Sequence, residues 1–147
     1  MSGSSWSTAT AVLRLATQLV DDIQRGVAAR GFDDVRPVHG FAFARLSAAP
    51  ATTAQLADHL GITKQATGEL VQYLVDHGYL TRTPDPGDRR ARLLVLTERG
   101  HACTRAAQQA SAGTVERWER QLSPTQAAEL WAALASIAGP GRLRPAW

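Results

Sequence analysis

Chemistry in this chain concentrates in Leu56-Ala-Asp-His-Leu-Gly-Ile-Thr-Lys-Gln-Ala-Thr-Gly-Glu-Leu70. The pattern is two short helices hinged at Gly61, with Ala57 small enough for close packing, which is the helix-turn-helix arrangement. The second helix of such a pair enters a major groove with its N-terminal residues toward base edges. The residues it would present are Thr63, Lys64, Gln65, Thr67, Gly68, Val71 and Gln72. A glutamine amide bonds adenine bidentately, which makes Gln65 and Gln72 candidate readers. Lys64 can reach guanine or phosphate, and the Val71 methyls suit a thymine methyl. Gly68 leaves room for close backbone approach. Glu69 and Asp76 place negative charge on the same helix, so it is no general electrostatic adhesive. The plainer reading is a helix pair used only for packing.

A second cationic feature follows. Tyr79-Leu-Thr-Arg-Thr83 and Ala91-Arg-Leu-Leu-Val-Leu-Thr97 read as strands joined by the Pro/Gly segment Pro84-Asp-Pro-Gly-Asp-Arg-Arg90, a hairpin with a long charged tip. From Arg82 to Arg92 it holds four arginines against Asp85 and Asp88. Arginines on a hairpin tip suit phosphate contact or a narrow minor groove. Asp88 is expected to hold the guanidinium of Arg90 or Arg89 by a charge-assisted bond. Standing alone, such a hairpin would read as merely solvated.

Elements on either side must position these two features. Val12, Ala16, Leu19, Ile23 and Val27 recur at spacings of three and four within Thr10–Arg30, a long amphipathic helix ended by Gly31. Pro37 opens the next helix, through Phe41, Phe43 and Leu46, and Ala48-Ala-Pro50 is a break. Thr52-Thr-Ala-Gln55 is a capping-box pattern, Thr63 caps the following helix, and Ala66, Leu70, Tyr73 and Leu74 are its inward residues. A helix from Glu98 carries Cys103, Ala107, Ala110, Thr114, Trp118 and Leu122 on one face; Ser123-Pro-Thr-Gln126 caps the last, through Leu130, Trp131, Leu134 and Ile137. The fold class is therefore mainly α with a small two-stranded β-wing, in one domain. Residues 37–97 form the winged helix-turn-helix lobe, 8–31 and 98–138 a helical dimerisation lobe, and 139–147 a flexible tail. The first helix is too long for the small middle block to bury, so its apolar face is expected to meet a second copy of the chain.

The stretch Thr53-Ala-Gln-Leu-Ala, Gly61-Ile-Thr and Leu74-Val-Asp-His-Gly-Tyr-Leu80, followed by Asp88-x-Arg90 and Leu94-x-Leu-Thr-Glu-x-Gly100, resembles the MarR family of bacterial regulators. The resemblance runs over about residues 37–100. It implies a homodimeric winged-helix repressor or activator, its terminal helices interleaved and its wings in flanking minor grooves of a pseudo-palindromic duplex. On that resemblance Arg90 is the minor-groove arginine, Asp88 its support, and Thr63 to Gln72 the recognition face. Thr53 and Arg89 are counted on the DNA side with them. It also implies a small aromatic or phenolic effector between the helical arms and the winged lobe. Arg14, His39, Phe43 and Trp6 are the residues able to offer such a ligand a cation and rings. The bland reading of each is a core ring, a satisfied histidine or a solvated cation.

Composition bounds the rest. The chain has 147 residues, 44% hydrophobic and 20% charged, with a formal net charge of +3. That suits a foldable domain and permits a polyanionic partner without demanding one. Fifteen of its sixteen cations are arginine; Lys64 is the single lysine. The single cysteine, Cys103, allows no intrachain disulfide and points to a reducing cytoplasm. Neither a secretory signal nor a membrane span is legible. No cofactor is expected, and no metal, because His39, His59, His77 and His101 lack paired ligand spacing. There is no Gly-rich phosphate loop, and a lone cysteine among scattered histidines supports no nucleophile, so an enzyme is not expected. Two other readings stay open: a winged-helix protein-interaction module, and a thiol-oxidation sensor acting through Cys103.

Overall fold

The computed structural model describes residues 2–145, so Met1, Ala146 and Trp147 of the expected N-terminal stretch and tail lie outside the described residues. Helix α1 spans Ser2–Ala29, beginning well before the Thr10 expected from periodicity, and Gly31 follows at φ +95°. Helix α2 is Pro37–Ala48, opened by its proline. Helix α3, Thr53–Leu60, is capped reciprocally: Gln55 N donates to Thr52 Oγ1 at 3.2 Å and Thr52 N donates to Gln55 Oε1 at 2.9 Å. Gly61 turns the chain at φ +71°, a left-handed conformation that side chains resist. Thr63 Oγ1 then accepts from Ala66 N at 3.1 Å and starts α4, Lys64–Asp76. Strands β1 (Leu80–Asp85) and β2 (Asp88–Leu96) pair antiparallel; α5 is Glu98–Glu119, and α6, Pro124–Ala138, is capped by Ser123 and Gln126.

The hairpin differs from expectation. Both strands run out to a two-residue turn at Pro86-Gly87, so the tip is short. Asp85 carboxylate accepts the Gly87 N–H at 2.9 Å, closing the turn locally.

One apolar cluster holds the lobe together. Leu56, Leu74, Leu94 and Tyr79 are fully buried, with Phe43, Leu60, Leu80 and Leu96 nearly so. Ala51 adds a backbone bridge to β2: Leu94 N donates to Ala51 O at 2.7 Å and Ala51 N to Leu94 O at 3.4 Å. The break between α2 and α3 is thereby the strap that pins the wing to the helix pair. Gly100 makes the wing-to-α5 junction possible, because a Cβ there would stand 2.4 Å from Tyr79 O and 2.9 Å from Leu96 Cδ2. Thr97 completes it by accepting from Gly100 N at 3.1 Å and donating to Gly78 O at 2.6 Å.

Two burial expectations fail on α4. Thr67 and Val71, assigned to the recognition face, are fully buried, while Ala66, assigned to the core, is exposed. The Thr67 hydroxyl donates to Thr63 O at 2.8 Å, so its polarity is satisfied by its own helix.

Outside the lobe, α1 packs along α5. A Cβ on Gly26 would fall 2.4 Å from Ala110 Cβ, which marks the closest approach of the two helices. Asp22 ties them by pairing with Arg117 and accepting from buried Thr114 at 3.0 Å. The remaining arms are uncovered: α6 buries no residue, and Trp6, Val12, Leu13, Leu130, Leu134 and Ile137 are exposed. Among the described residues no helix is long and apolar enough to cross a membrane.

Candidate nucleic-acid interface

Burying Thr67, Leu70, Val71 and Leu74 fixes the rotation of α4 and so decides what faces outward. Lys64, Gln65, Ala66, Glu69, Gln72 and Asp76 are exposed, and Gly68 is partly so. Nothing lies within 4 Å of a Cβ built on Gly68, so its surroundings are open. Thr63 is engaged as the N-cap, and half-buried Thr53 is the first residue of α3. The structure thus keeps Lys64, Gln65, Gly68 and Gln72 on one outer surface and removes Thr67 and Val71 from it. In helical terms, 64, 65, 68 and 72 share a side, whereas 67, 71 and 74 share the opposite one.

The wing is joined to this surface by a polar chain that the residue pattern did not reveal. Arg82 of β1 donates to Gln72 Oε1 at 3.1 Å, and Gln72 Nε2 donates to Asp76 Oδ1 at 2.8 Å. The amide of the candidate base reader is therefore oriented from both ends. Arg82, Arg89, Arg90 and Arg92 are all exposed along the hairpin. Asp88 does not hold a guanidinium, contrary to expectation. Its Oδ1 accepts the backbone N–H of Arg90 at 2.9 Å, fixing the chain at the exit of the turn. A carboxylate two residues before a backbone donor makes this local bond without help from any other element.

The expected effector cluster is not assembled. Arg14 folds back on its own helix, donating to Thr10 O and Thr10 Oγ1 at 3.3 Å each, and Trp6 is 72% exposed. His39 is buried: its Nδ1 accepts from Arg36 N at 2.9 Å and its ring stacks on Tyr73 at 4.9 Å between centroids. Burial, reinforced by the Arg36 charge, lowers its pKa to about 4. Of the four residues Phe43 alone lines the mostly apolar cavity of about 350 Å³ between α1, α2 and α5. Its walls are mostly apolar, from Ile23, Val27, Val35, Phe41 and Phe43, and its cation is Arg36. Cys103 also faces it, but burial pushes that thiol up to about 11. At neutral pH it is protonated and lacks the thiolate a redox sensor needs.

Beside the cavity a network clamps the α1–α2 segment to the lobe. Tyr79 OH donates to Asp34 Oδ1 at 2.5 Å, Tyr73 OH donates to Asp34 O, and Arg99 donates to Tyr79 OH at 2.9 Å. Partial burial works to raise the Asp34 carboxyl, but the Tyr79 hydroxyl and Arg99 outweigh it and hold its pKa below the usual value. Among the described residues no cluster of His, Cys, Asp or Glu is arranged to hold a metal.

Comparison with known proteins gives this geometry a context. Residues 34–91 match the sequence model of the MarR family, and a comparison with curated proteins returns no match. Among solved structures, RV1404 from Mycobacterium tuberculosis is 26% identical with a TM-score of 0.76, over 95% of this chain and 98% of that one. MarR from E. coli in its apo form is 18% identical with a TM-score of 0.73, over 89% of this chain and 96% of that one. CouR, a transcriptional repressor solved on a 23-mer DNA duplex, is 27% identical with a TM-score of 0.67, over 88% and 90% of the two chains. The match over the lobe and the likeness along the whole length agree with the arrangement of α3, α4 and wing: residues 34–91 are similar to the MarR family, and the chain has the winged-helix fold of these solved regulators.

Proposed function

We propose that the chain is a homodimeric, sequence-specific DNA-binding regulator, acting in the cytoplasm as a repressor. A small aromatic or phenolic ligand would adjust its hold on a pseudo-palindromic operator. The observation that carries this reading is the outer surface of α4, where Lys64, Gln65, Gly68 and Gln72 stand together beside a wing bearing four exposed arginines. Lys64 and the glutamines supply base-edge and phosphate chemistry, and Arg90 supplies the minor-groove contact. CouR bound to its duplex is a relative in which the same fold holds DNA. The uncovered apolar residues of α1 and α6, with Leu13 at 64% and Ile137 at 82% exposure, support dimerisation. Two copies would place two recognition helices about one helical turn (~34 Å) apart. A ligand in the α1–α2–α5 cavity would release DNA only so far as it prefers the dimer geometry that does not bind.

Fluorescence anisotropy tests the reading. The protein should bind the duplex upstream of its own gene at least about a thousandfold more tightly than a scrambled duplex at one fixed salt. Arg90→Ala should weaken that binding about tenfold or more while sedimentation still reports the wild-type oligomer. Equal, salt-driven affinity for both duplexes would favour a protein-interaction module instead.

A further inference from the structure

The chain beyond α6 has no regular structure, yet it runs back to the helix-turn-helix. Gly139, at φ +59°, ends α6. Arg142 Nη1 then donates to Asp58 O at 2.8 Å and pairs with Asp58 Oδ2 at 3.1 Å, on the outer side of α3. Two residues on, Arg144 lies against the turn between α3 and α4, where its Nη1 is 2.8 Å from the place a Cβ on Gly61 would take. Lys64 opens α4 three positions after Gly61, so their Cα atoms stand within about 11 Å of each other.

The tail changes the charge of this corner. The Asp58 side chain is 75% exposed, and unmatched it would repel a phosphate backbone. Arg142 cancels it. Arg144 is exposed, as Lys64 is, and among the described residues it has no hydrogen bond or ion pair. Without the tail, Lys64 would stand against Asp58; with it, Lys64, Arg142 and Arg144 do. Cations gathered on one surface repel each other until an anion covers them.

We infer that residues 139–145 are a C-terminal arm of the DNA-binding surface, in which Arg142 masks Asp58 and Arg144 binds a phosphate of the duplex backbone. The fastening is an exposed ion pair and one backbone bond, which contribute little stability and mainly set position. No base is touched, so the arm adds affinity and salt sensitivity without sequence preference.

This rests on the proposed reading of α4 as a surface for double-stranded DNA. It does not require an operator, because phosphate contacts are indifferent to sequence. The test is anisotropy of the full chain and its point variants on the upstream duplex and on its scrambled counterpart, across a range of salt. Each phosphate contact contributes about 0.9 to the slope of log K against log salt, so two arms in a dimer contribute about 1.8. Between about 50 and 200 mM salt the wild type should therefore lose about tenfold more affinity than Arg144→Ala, on both duplexes alike. Arg142→Ala uncovers Asp58 and should weaken binding at low salt, and Asp58→Asn added to it should restore part of the loss. Arg120→Ala removes an exposed cation at the end of α5 remote from the wing and should leave the slope unchanged. Equal slopes for the wild type and Arg144→Ala overturn the arm. So does an Arg120→Ala slope flattened as much as that of Arg144→Ala, which makes the effect one of net charge. Equal affinity for the two duplexes, with the slope still flattened by Arg144→Ala, overturns the operator and leaves the arm standing. No binding of the full chain to either duplex at low salt overturns both.

Discussion

His39 gives the fold a built-in weakness to acid whose size can be worked out. Its ring is 6% exposed and stacks on Tyr73, and its Nδ1 accepts the Arg36 N–H at 2.9 Å, a bond that a protonated ring cannot make. Burial, with the Arg36 charge, lowers its pKa from 6.5 to about 4. The unfolded chain therefore binds the proton before the folded one does. Its contribution to stability is complete above pH 6.5 and is lost as pH falls toward 4, with a slope of about 1.4 kcal/mol per pH unit in between. The full span is about 3 kcal/mol, of which about 2 kcal/mol falls between pH 6.5 and 5, where most carboxylates remain ionised. His39→Gln removes the titration while a side-chain oxygen can still accept the Arg36 N–H, as in a capping box. It should cost about 1 kcal/mol at pH 7.5 through the lost ring stack. Urea unfolding at pH 7.5, 6.5, 5.5 and 5.0, at one protein concentration, reads both. Wild-type stability should fall by about 2 kcal/mol more than that of the variant between pH 6.5 and 5. Parallel losses in the two proteins would refute the argument, because His59, His77 and His101 are common to both.

Other expectations follow from single contacts. Gly100→Ala drives a methyl against the Tyr79 carbonyl and Leu96, so it should destabilise by about 3 kcal/mol or more in urea unfolding, with no polar group removed. Leu13→Glu combined with Ile137→Glu places charge on the uncovered arms and should convert the proposed dimer to monomer in sedimentation velocity, with the helical circular dichroism retained. Cys103, buried and with its thiol pushed up to about 11, should react with a thiol reagent at pH 8 at least a hundredfold more slowly in the native protein than in urea. Rapid native modification would reopen the oxidation-sensor reading.

Features written in local chemistry were legible in the residues alone. The capping pairs at Thr52 and Ser123, the N-cap at Thr63 and the glycine stops all need only neighbours within four positions, and each stands where its pattern put it. Placement across elements was not. The α2–α3 break looked like an interruption, but Ala51 bonds Leu94, forty-three positions later, and no sequence window contains both. Asp34, which accepts from Tyr73 and Tyr79 while facing Arg99, is an acidic residue in a loop until three other elements are folded around it. The effector cluster is illegible for the same reason: Arg14, His39 and Phe43 suit a ligand by residue type, and only packing shows that the first bonds back to its own helix, the second is buried and the third reaches a cavity.

The errors on α4 carry the most functional weight. A helix of thirteen residues with polar groups nearly all round gives no clear stripe, and Thr67 passed for a contact because threonine is a competent hydrogen-bonding residue. What decides the matter is that its hydroxyl donates to Thr63 O inside the helix, so that the side chain can be fully buried, as Val71 is. With those two in the core, the base readout proposed for α4 narrows to Lys64, Gln65, Gly68 and Gln72, and the last of these is held in one orientation. Arg82 takes one lone pair of its oxygen and Asp76 one hydrogen of its amide. The spare lone pair and spare hydrogen remain in a defined order, the pair needed to meet an adenine edge. On the proposed reading the wing would act on recognition twice: Arg90 would grip the duplex beside the site, and Arg82, by its bond to Gln72, would set the donor and acceptor order of a residue within it.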